Sequence, residues 1–358
     1  MANFEYKQLS EINLEQEFFD SLKEAYPEFP IWYQRKASEG ECAYVLFNKH
    51  QQLDAFLYLK CEGLDENYSD IDPPFERGIR VKVGTLKAIS RGTRLGERII
   101  KKIIDYASES EISEVYVTVF DEHDHLIELL KKFGFMHWGK KTSTRENVLV
   151  KRLDFHFDDQ NGNFDIYKSY PLVNTSNVNY WVLGIYPEFH TRMFPDSILT
   201  NESYELIQDV SETNTISKIY LTKLECISQM KRGDIILIYR TGDGLSAARY
   251  RAVVTSICIV DEIKSIFDFQ HELDFMNYCE KGSVFTTEEL SYFYRSKKYP
   301  KIIKLTYNIA LRHRVTNGDL IDHVHLHPRY WGCFPLTKDQ FGHIFKMGQA
   351  NSNLLVHV

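Results

Sequence analysis

The sequence predicts an α/β N-terminal domain, a mixed central sheet flanked by helices, followed by an α+β C-terminal domain rich in barrel-like strands. Three observations carry this. At 358 residues the chain is about twice a common domain length, so two hydrophobic cores are expected. Residues 155–179, FHFDDQNGNFDIYKSYPLVNTSNVN, are rich in Asn, Asp, Ser and Gly and hold neither helical nor strand period over most of their length, as a connection would. Before that stretch helical and strand periods alternate, whereas after it strand patterns prevail. The domains are therefore placed at 1–154 and 180–358, with 155–179 as linker.

In the first domain LEQEFFDSLKEAY (14–26) has helical spacing, while CAYVLFN (42–48), LDAFLYLKCE (53–62) and IRVKVGTLKAI (79–89) read as strands. GERIIKKIIDYASES follows as a helix with Ile99, Ile100, Ile103, Ile104 and Ala107 on one face. A strand EVYVTVF (114–120), a helix DHLIELLKKF (124–133) and a last strand from Phe135 complete it. In the second domain YWVLGIY (180–186), DIILIYRT (234–241), ARYRAVVTSICIVDEI (248–263) and KIIKLTYNIALRHRV read as strands. PEFHTRMFPDSIL, TTEELSYFY and LTKDQFGHIFKM read as helical segments.

Charge narrows the function. Residues 1–179 hold 23 Lys and Arg against 30 Asp and Glu, and residues 180–358 hold 20 against 20. Neither half has the basic excess of a dedicated nucleic-acid binder, so any such contact must come from a local patch. No stretch reaches the ~20 apolar residues of a membrane span, and no basic-plus-apolar leader precedes MANFEYKQLS. A soluble cytoplasmic protein is expected. The six cysteines include no CxxC pair and several sit in apolar runs, which reads as buried reduced thiols.

The stretch LKAISRGTRLGERIIKKIIDYA, residues 86–107, sets a strand against a Gly/Arg turn and the turn against an amphipathic helix. Glycines at 92 and 96 let backbone approach a ligand closely. The helix start offers free N–H groups backed by the helix dipole, and Arg91 and Arg94 add positive charge. That is an anion cradle suited to a pyrophosphate.

RGTRLG in this context, followed by VTVFDEHDHLIELLKKFGF, resembles the GNAT (Gcn5-related) N-acetyltransferases over about residues 30–150. Their acyl-CoA signature is Gln/Arg-x-x-Gly-x-Gly/Ala. Arg91 takes its first position and Gly96 its last, with Arg94 where the middle glycine is usual. In the second signature, Asn-x-x-Ala-x-x-Leu-Tyr-x-x-x-Gly-Phe, His123 takes the Asn position, Leu129 the Leu, Leu130 the Tyr, and Gly134 and Phe135 the end. The resemblance implies an acetyl-CoA co-substrate. Its pyrophosphate would lie on the amides of Gly92, Thr93, Arg94, Leu95, Gly96 and Glu97 beside Arg91, and its pantetheine would pair with the strand at Leu86, Lys87 and Ala88. A substrate amine would attack the thioester, which needs a base for the ammonium. Glu62 and His123 are the candidates, with His125 beside the latter. Leu130 replaces the tyrosine that commonly protonates the leaving thiolate, so another group serves or CoA leaves unassisted.

The order of elements in the second domain resembles PUA-like barrels, particularly ASCH and EVE domains, over about residues 180–348. In these "KxGD" opens a core strand, as KRGD does at 231–234; the Gly-x-Lys-x-x-Glu-x-Arg signature of ASCH domains is not evident. Such folds frequently handle RNA or modified bases. By that resemblance Lys231, Arg232, Arg240, Arg249, Arg251 and Arg329 are candidates for phosphate contact, with Tyr330 and Trp331 for base stacking. The plainer reading makes Arg249 and Arg251 the solvated face of a strand and Trp331 core. In HVHLHP a strand would put His323, His325 and His327 on one side. With Asp322 the sole carboxylate neighbour, they read as a polar strand face, a contact for an acidic ligand or part of a ligand groove, and no metal site is assigned.

Two functions follow. The first is an acetyl-CoA-dependent N-acetyltransferase whose C-terminal domain presents the acceptor, RNA such as tRNA or an RNA-associated protein. The alternative is a non-catalytic domain that senses acyl-CoA or carries a partner protein, coupled to a nucleic-acid-binding barrel.

Overall fold

The structure is a computed structural model and describes residues 4–48, 50–89, 94–154, 164–197, 214–244, 247–280 and 282–357. The chain divides into two units, Met1–Leu153 and Asp154–Val358.

In the first unit strands β1 (Glu5–Gln8), β2 (Cys42–Phe47), β3 (Leu53–Glu62), β4 (Ile71–Asp72), β5 (Arg80–Ala88), β6 (Glu114–Val119), β7 (Met136–Lys141) and β8 (Asn147–Arg152) form one sheet. Their order is β1-β2-β3-β5-β6-β8-β7-β4. All neighbours are antiparallel except β5 and β6. Helices α1 (Asp20–Ala25) and α2 (Phe29–Ser38) lie between β1 and β2, α3 (Leu95–Glu109) crosses from β5 to β6, and α4 (Asp124–Lys132) leads to β7. A parallel pair needs such a crossover.

The apolar stripe expected on α3 is buried as expected: Ile99, Ile100, Ile103, Ile104 and Ala107 are each at most 1% exposed. Each buried isoleucine contributes about 1.5–3 kcal/mol as an upper bound. On the other face the turn Glu17–Phe19 and α2 cover β3 through aromatic edges. Phe19 meets Phe56 at 5.3 Å between centroids, and Trp32 meets Tyr58 at 5.2 Å.

The helix expected over 14–26 is instead a 3₁₀ turn, Glu17–Phe19, followed by the short α1. Helix α2 escapes a pattern reading because FPIWYQRKAS opens on a proline and three aromatics. Pro30 sits in the first turn, where its missing N–H costs no intrahelical bond.

The second unit contains β9 (Val173–Asn174), β10 (Tyr180–Ile185), β11 (Ser217–Thr222), β12 (Ile235–Arg240), β13 (Val253–Ser265), β14 (Lys301–Thr316), β15 (Cys333–Leu336) and β16 (Leu355–Val356). Its helices are α5 (Pro187–Met193), α6 (Ala248–Arg251), α7 (Glu272–Cys279), α8 (Thr287–Ser296), α9 (Asn317–Asp322) and α10 (Lys338–Met347). Six strands form a sheet ordered β11-β14-β13-β12-β10-β15, and β9 pairs with β16. One cluster packs Val182, Leu237 and Tyr239 with Phe341 and Ile344 of α10. The alternate residues Leu183, Ile236 and Ile238 pack with Met193 and Phe194. Burial on both faces is why these strands read as unbroken apolar runs.

Several expectations are corrected here. Among the described residues the sheet is open, with β11 and β15 as its edges, rather than a closed barrel. Three register shifts between β13 and β14 bend that long pair without joining the edges. Residues 164–179 are not a free linker: Ile166, Leu172 and Val173 are buried in the core of the second unit. The strand expected from Ala248 begins at Val253, after the single turn of α6. The histidine run is no strand either. His323 caps the C-terminus of α9 and His325 has a left-handed backbone, φ 56°, so the three imidazoles do not share a strand face. Cys226 and Cys333, 107 residues apart, form a disulfide, whereas Cys258 and Cys279 are buried free thiols. Among the described residues no helix is long and apolar enough to cross a membrane.

Candidate functional site

The site in the first unit is made by two strands that part. β5 and β6 pair in parallel only through Val81–Val83 and Val115–Val117. Beyond them β5 stays paired to β3 as far as Ala88, and β6 stays paired to β8 as far as Val119. The edge of β5 from Thr85 to Ala88 that faces β6 therefore has no ladder partner among the described residues. An open edge in a wedge accepts an extended chain with amide groups as an added strand. Leu86, Lys87 and Ala88 lie on it, partly exposed. The Lys87 ammonium is directed elsewhere: it donates to the Phe18 carbonyl and to the Ser21 hydroxyl at 2.6 Å. What β5 offers a ligand at this position is its backbone.

Helix α3 starts just after the wedge. Arg91, Gly92 and Thr93 lie outside the described residues. Arg94 takes a left-handed conformation, φ 53°, at the N-cap, and its guanidinium pairs with the buried Glu97. The amides of Glu97 and Arg98 both donate to the Arg94 carbonyl, so the Glu97 amide is already used within the turn. Leu95 is buried. Gly96 has a packing role: a Cβ there would sit 2.6 Å from Cδ2 of Leu129 in α4.

The two candidate bases stand on different elements, Glu62 at the end of β3 and His123 at the start of α4. Glu62, 1% exposed, pairs in register with Arg80 at the start of β5, accepts a 2.7 Å hydrogen bond from the Tyr116 hydroxyl, and lies 3.5 Å from Lys60 and 3.8 Å from Lys82. Burial and the Glu62 charge hold the Tyr116 phenol protonated, well above its ordinary range. His123 is the exposed N-cap of α4, with His125 exposed beside it. Tyr116 and Val119 are three residues apart on β6, about 10 Å at strand rise, and His123 lies beyond.

Sequence reasoning missed a second buried carboxylate nearer the wedge. Glu146, 3% exposed, accepts hydrogen bonds from Tyr26 at 2.9 Å, Thr118 at 3.3 Å and Thr144 at 2.7 Å. Thr118 follows the last residue of the β5/β6 pair. Glu146 sits in the β7–β8 turn, where a lone acid carries no pattern, so no sequence signal pointed to it.

In the second unit a cavity of about 360 Å³ is walled by Tyr186, Phe189, Tyr220, Phe285, Tyr299, Tyr330 and Trp331, with Lys223 and Arg329. Trp331 also stacks on Tyr239, ring centroids 5.2 Å apart, so it is at once core and wall. A Cβ at Gly184 would meet the Trp331 carbonyl at 2.6 Å, which is why the strand carries glycine there. The Cys226–Cys333 disulfide joins segments two residues after Leu224 and directly after Gly332, both wall residues, and so ties two sides of this cavity together.

The other basic candidates do not gather around it. Arg240 is buried, donating to the Arg251 carbonyl at 3.3 Å. Arg251 chelates Asp243, with two 2.8 Å bonds from its Nε, and Arg249 pairs with Asp322. Since both arginines stand on α6, the expected strand face is absent. Lys231 and Arg232 are exposed, the latter 3.4 Å from Asp261.

No family model matches the chain. A stretch of 64 residues, 18% of the chain, is 31% identical to the spermine/spermidine N(1)-acetyltransferase of Bacillus subtilis and spans 42% of that enzyme. The chain thus matches less than half the length of this curated relative. Solved structures similar to it include the N-acetyltransferase PseH of Campylobacter jejuni, 15% identical over 42% of this chain and 99% of that one, TM-score 0.28. They also include ASCH from Zymomonas mobilis, 9% identical over 49% of this chain and 98% of that one, TM-score 0.31.

Proposed function

We propose that the first unit is a GNAT-type N-acetyltransferase that uses acetyl-CoA, and that the second unit presents its acceptor, RNA such as tRNA or an RNA-associated protein. The observation that carries the reading is the parting of β5 and β6 after Val83 and Val117, with an open edge on β5, the strand that precedes α3 in the chain. An extended amide chain fits that edge, and a pyrophosphate suits the helix start. The 31% identity to a spermine/spermidine acetyltransferase over 64 residues supports the same class. In the reaction the amine lone pair attacks the thioester carbonyl carbon, the C–S bond breaks, and the amine proton passes to a base. Glu62 and His123 remain the proposed bases, and Glu146 joins them on position. The departing thiolate receives a proton from solvent or from the base.

Acetyl-CoA should bind the purified chain one to one by calorimetry, and Gly92→Asp should weaken it more than about tenfold by placing a negative charge in the phosphate cradle. Absence of binding by the wild type would refute the reading. A second reading, an acyl-CoA sensor without turnover, is favoured by Leu130, fully buried and without a hydroxyl where the family's acid is usual. Binding without release of free thiol in the presence of cellular RNA or protein would decide for it.

The RNA part rests on the aromatic cavity with Arg329, Tyr330 and Trp331 on its wall, since rings beside cations suit bases beside phosphates. RNA affinity should fall steeply with salt, and Arg329→Ala should reduce both affinity and the slope. A salt-independent interaction would exclude phosphate neutralisation.

A further inference from the structure

On the sheet face that carries α2, a cavity of about 210 Å³ opens at the β5 bulge. Arg35 and Lys36 of α2, Lys60 of β3 and Lys82 of β5 supply its charge, and Trp32 and Tyr58 its flat walls. Gly84 completes it. The register of β5 on β3 shifts there, and a Cβ on Gly84 would lie 2.7 Å from the Tyr58 ring.

Among the described residues no carboxylate lines this cavity. Glu39 and Glu41 hold Lys36 at 2.6 and 3.3 Å, Glu66 holds Lys60 at 2.7 Å, and Glu62 reaches Lys60 and Lys82 at 3.5 and 3.8 Å. Arg35 is 3.9 Å from Glu39. Each of the four cations thus has a carboxylate partner that is not itself a lining residue, and the cations line the open space. Lys60 and Lys82 are moreover direct partners in the β3/β5 register, and like charges set opposite each other in a sheet are destabilising. Glu62 pairs with both lysines and offsets that repulsion. A polycation entering here would meet four like charges, whereas an anion would be held by several charge-assisted hydrogen bonds.

We infer that this cavity receives the acceptor, and that the acceptor is an amine carried on an anionic molecule, with a phosphate or carboxylate for the four cations and a flat or apolar part for Trp32 and Tyr58. The inference rests on the proposed acyl transfer, because Gly84 follows the last paired residue of β5, where the wedge opens. It sets this chain apart from the polyamines named for the Bacillus subtilis relative.

The test is a ligand-observed NMR titration of the full chain with phosphoethanolamine, ethanolamine and spermidine, beside a calorimetric titration with acetyl-CoA. Phosphoethanolamine should bind about tenfold or more tighter than ethanolamine, with spermidine the weakest. Arg35→Glu, on a side chain 65% exposed and therefore tolerant of change, should weaken phosphoethanolamine about tenfold. Lys82→Met should act in the same direction. Spermidine binding as tightly as phosphoethanolamine, binding of none of the three, or no effect of either variant would overturn the anion site. Preference for phosphoethanolamine without any acetyl-CoA binding would overturn the acceptor assignment through failure of the acyl-transfer reading, and leave an anion site alone.

Discussion

Glu62→Ala is expected to destabilise the first unit by about 3 kcal/mol, the lower end of the cost of breaking a buried ion pair, because Lys60 and Lys82 are about a third exposed and water screens them. The carboxylate itself is 1% exposed, and its removal leaves Lys60 and Lys82 facing each other in register and the buried Tyr116 hydroxyl without its 2.7 Å acceptor. Glu62→Gln keeps an acceptor for Tyr116 and should cost less. Urea unfolding measures both, and a Glu62→Ala midpoint equal to wild type would show that the cluster adds nothing to folding. The same variants separate structure from chemistry. If Glu62 takes the amine proton, Glu62→Gln lowers thiol release by about 10²-fold or more in a protein that still melts near the wild-type temperature. Parallel losses of stability and activity would assign Glu62 to positioning.

Acid should destabilise the second unit in a window set by His190. Its side chain is fully buried, with Nε2 2.8 Å from the Thr255 hydroxyl and no partner for Nδ1 among the described residues. Burial first, and then the nearby Arg240 and Arg314, push its pKa from 6.5 down to about 3. Below pH 6.5 the unfolded chain takes up a proton that the folded chain refuses. Stability is therefore fully present above 6.5 and falls with pH toward 3 by up to about 1.4 kcal/mol per unit. Asp261 and Glu262 in the same unit have lowered values, from 3.8 and 4.5, so their contributions are lost below those values and the interval from 6.5 to about 4.5 belongs to the histidine. Calorimetric melting across that interval should show a falling transition temperature in the wild type and a nearly flat one in His190→Gln, which keeps a polar group for Thr255. Equal slopes in both proteins would mean that His190 is protonated in the fold.

The long elements were legible. Strand β3 spans the predicted residues Leu53–Glu62, and α3 buries the predicted face, because a period of 2 or 3.6 is a local record of which side meets the core. Helix α2, the turn carrying Glu146 and the disulfide were not legible. In α2 the helical signal is hidden by aromatics that serve packing against Tyr58 and Phe56. The histidine run misled because alternation is a necessary mark of a strand and not a sufficient one: the helix opened by the Thr316/Asp319 capping box ends at Asp322, and the run leaves it as a turn, with His323 as the C-cap and His325 in a left-handed conformation. Of the candidate site, Leu86, Lys87 and Ala88 lie on the open β5 edge and Arg329, Tyr330 and Trp331 on one cavity wall, whereas Arg240, Arg249 and Arg251 are each engaged within the second unit.

By itself the sequence determined the two-part organisation, the alternation of helix and strand in the first part, the doubly buried strands of the second, and the strand-to-helix turn at which an anion is expected. These follow from residue order over a few turns or strand lengths, where burial imposes period and glycine imposes backbone freedom. Only the tertiary structure decided that β5 and β6 part after Val83 and Val117, that Glu62 is bound to Tyr116 and Glu146 to Tyr26, and that four cations from α2, β3 and β5 surround one small cavity. Those facts depend on which distant residues become neighbours, and pairing energies between strands and charges far apart in the chain leave no periodic trace in it.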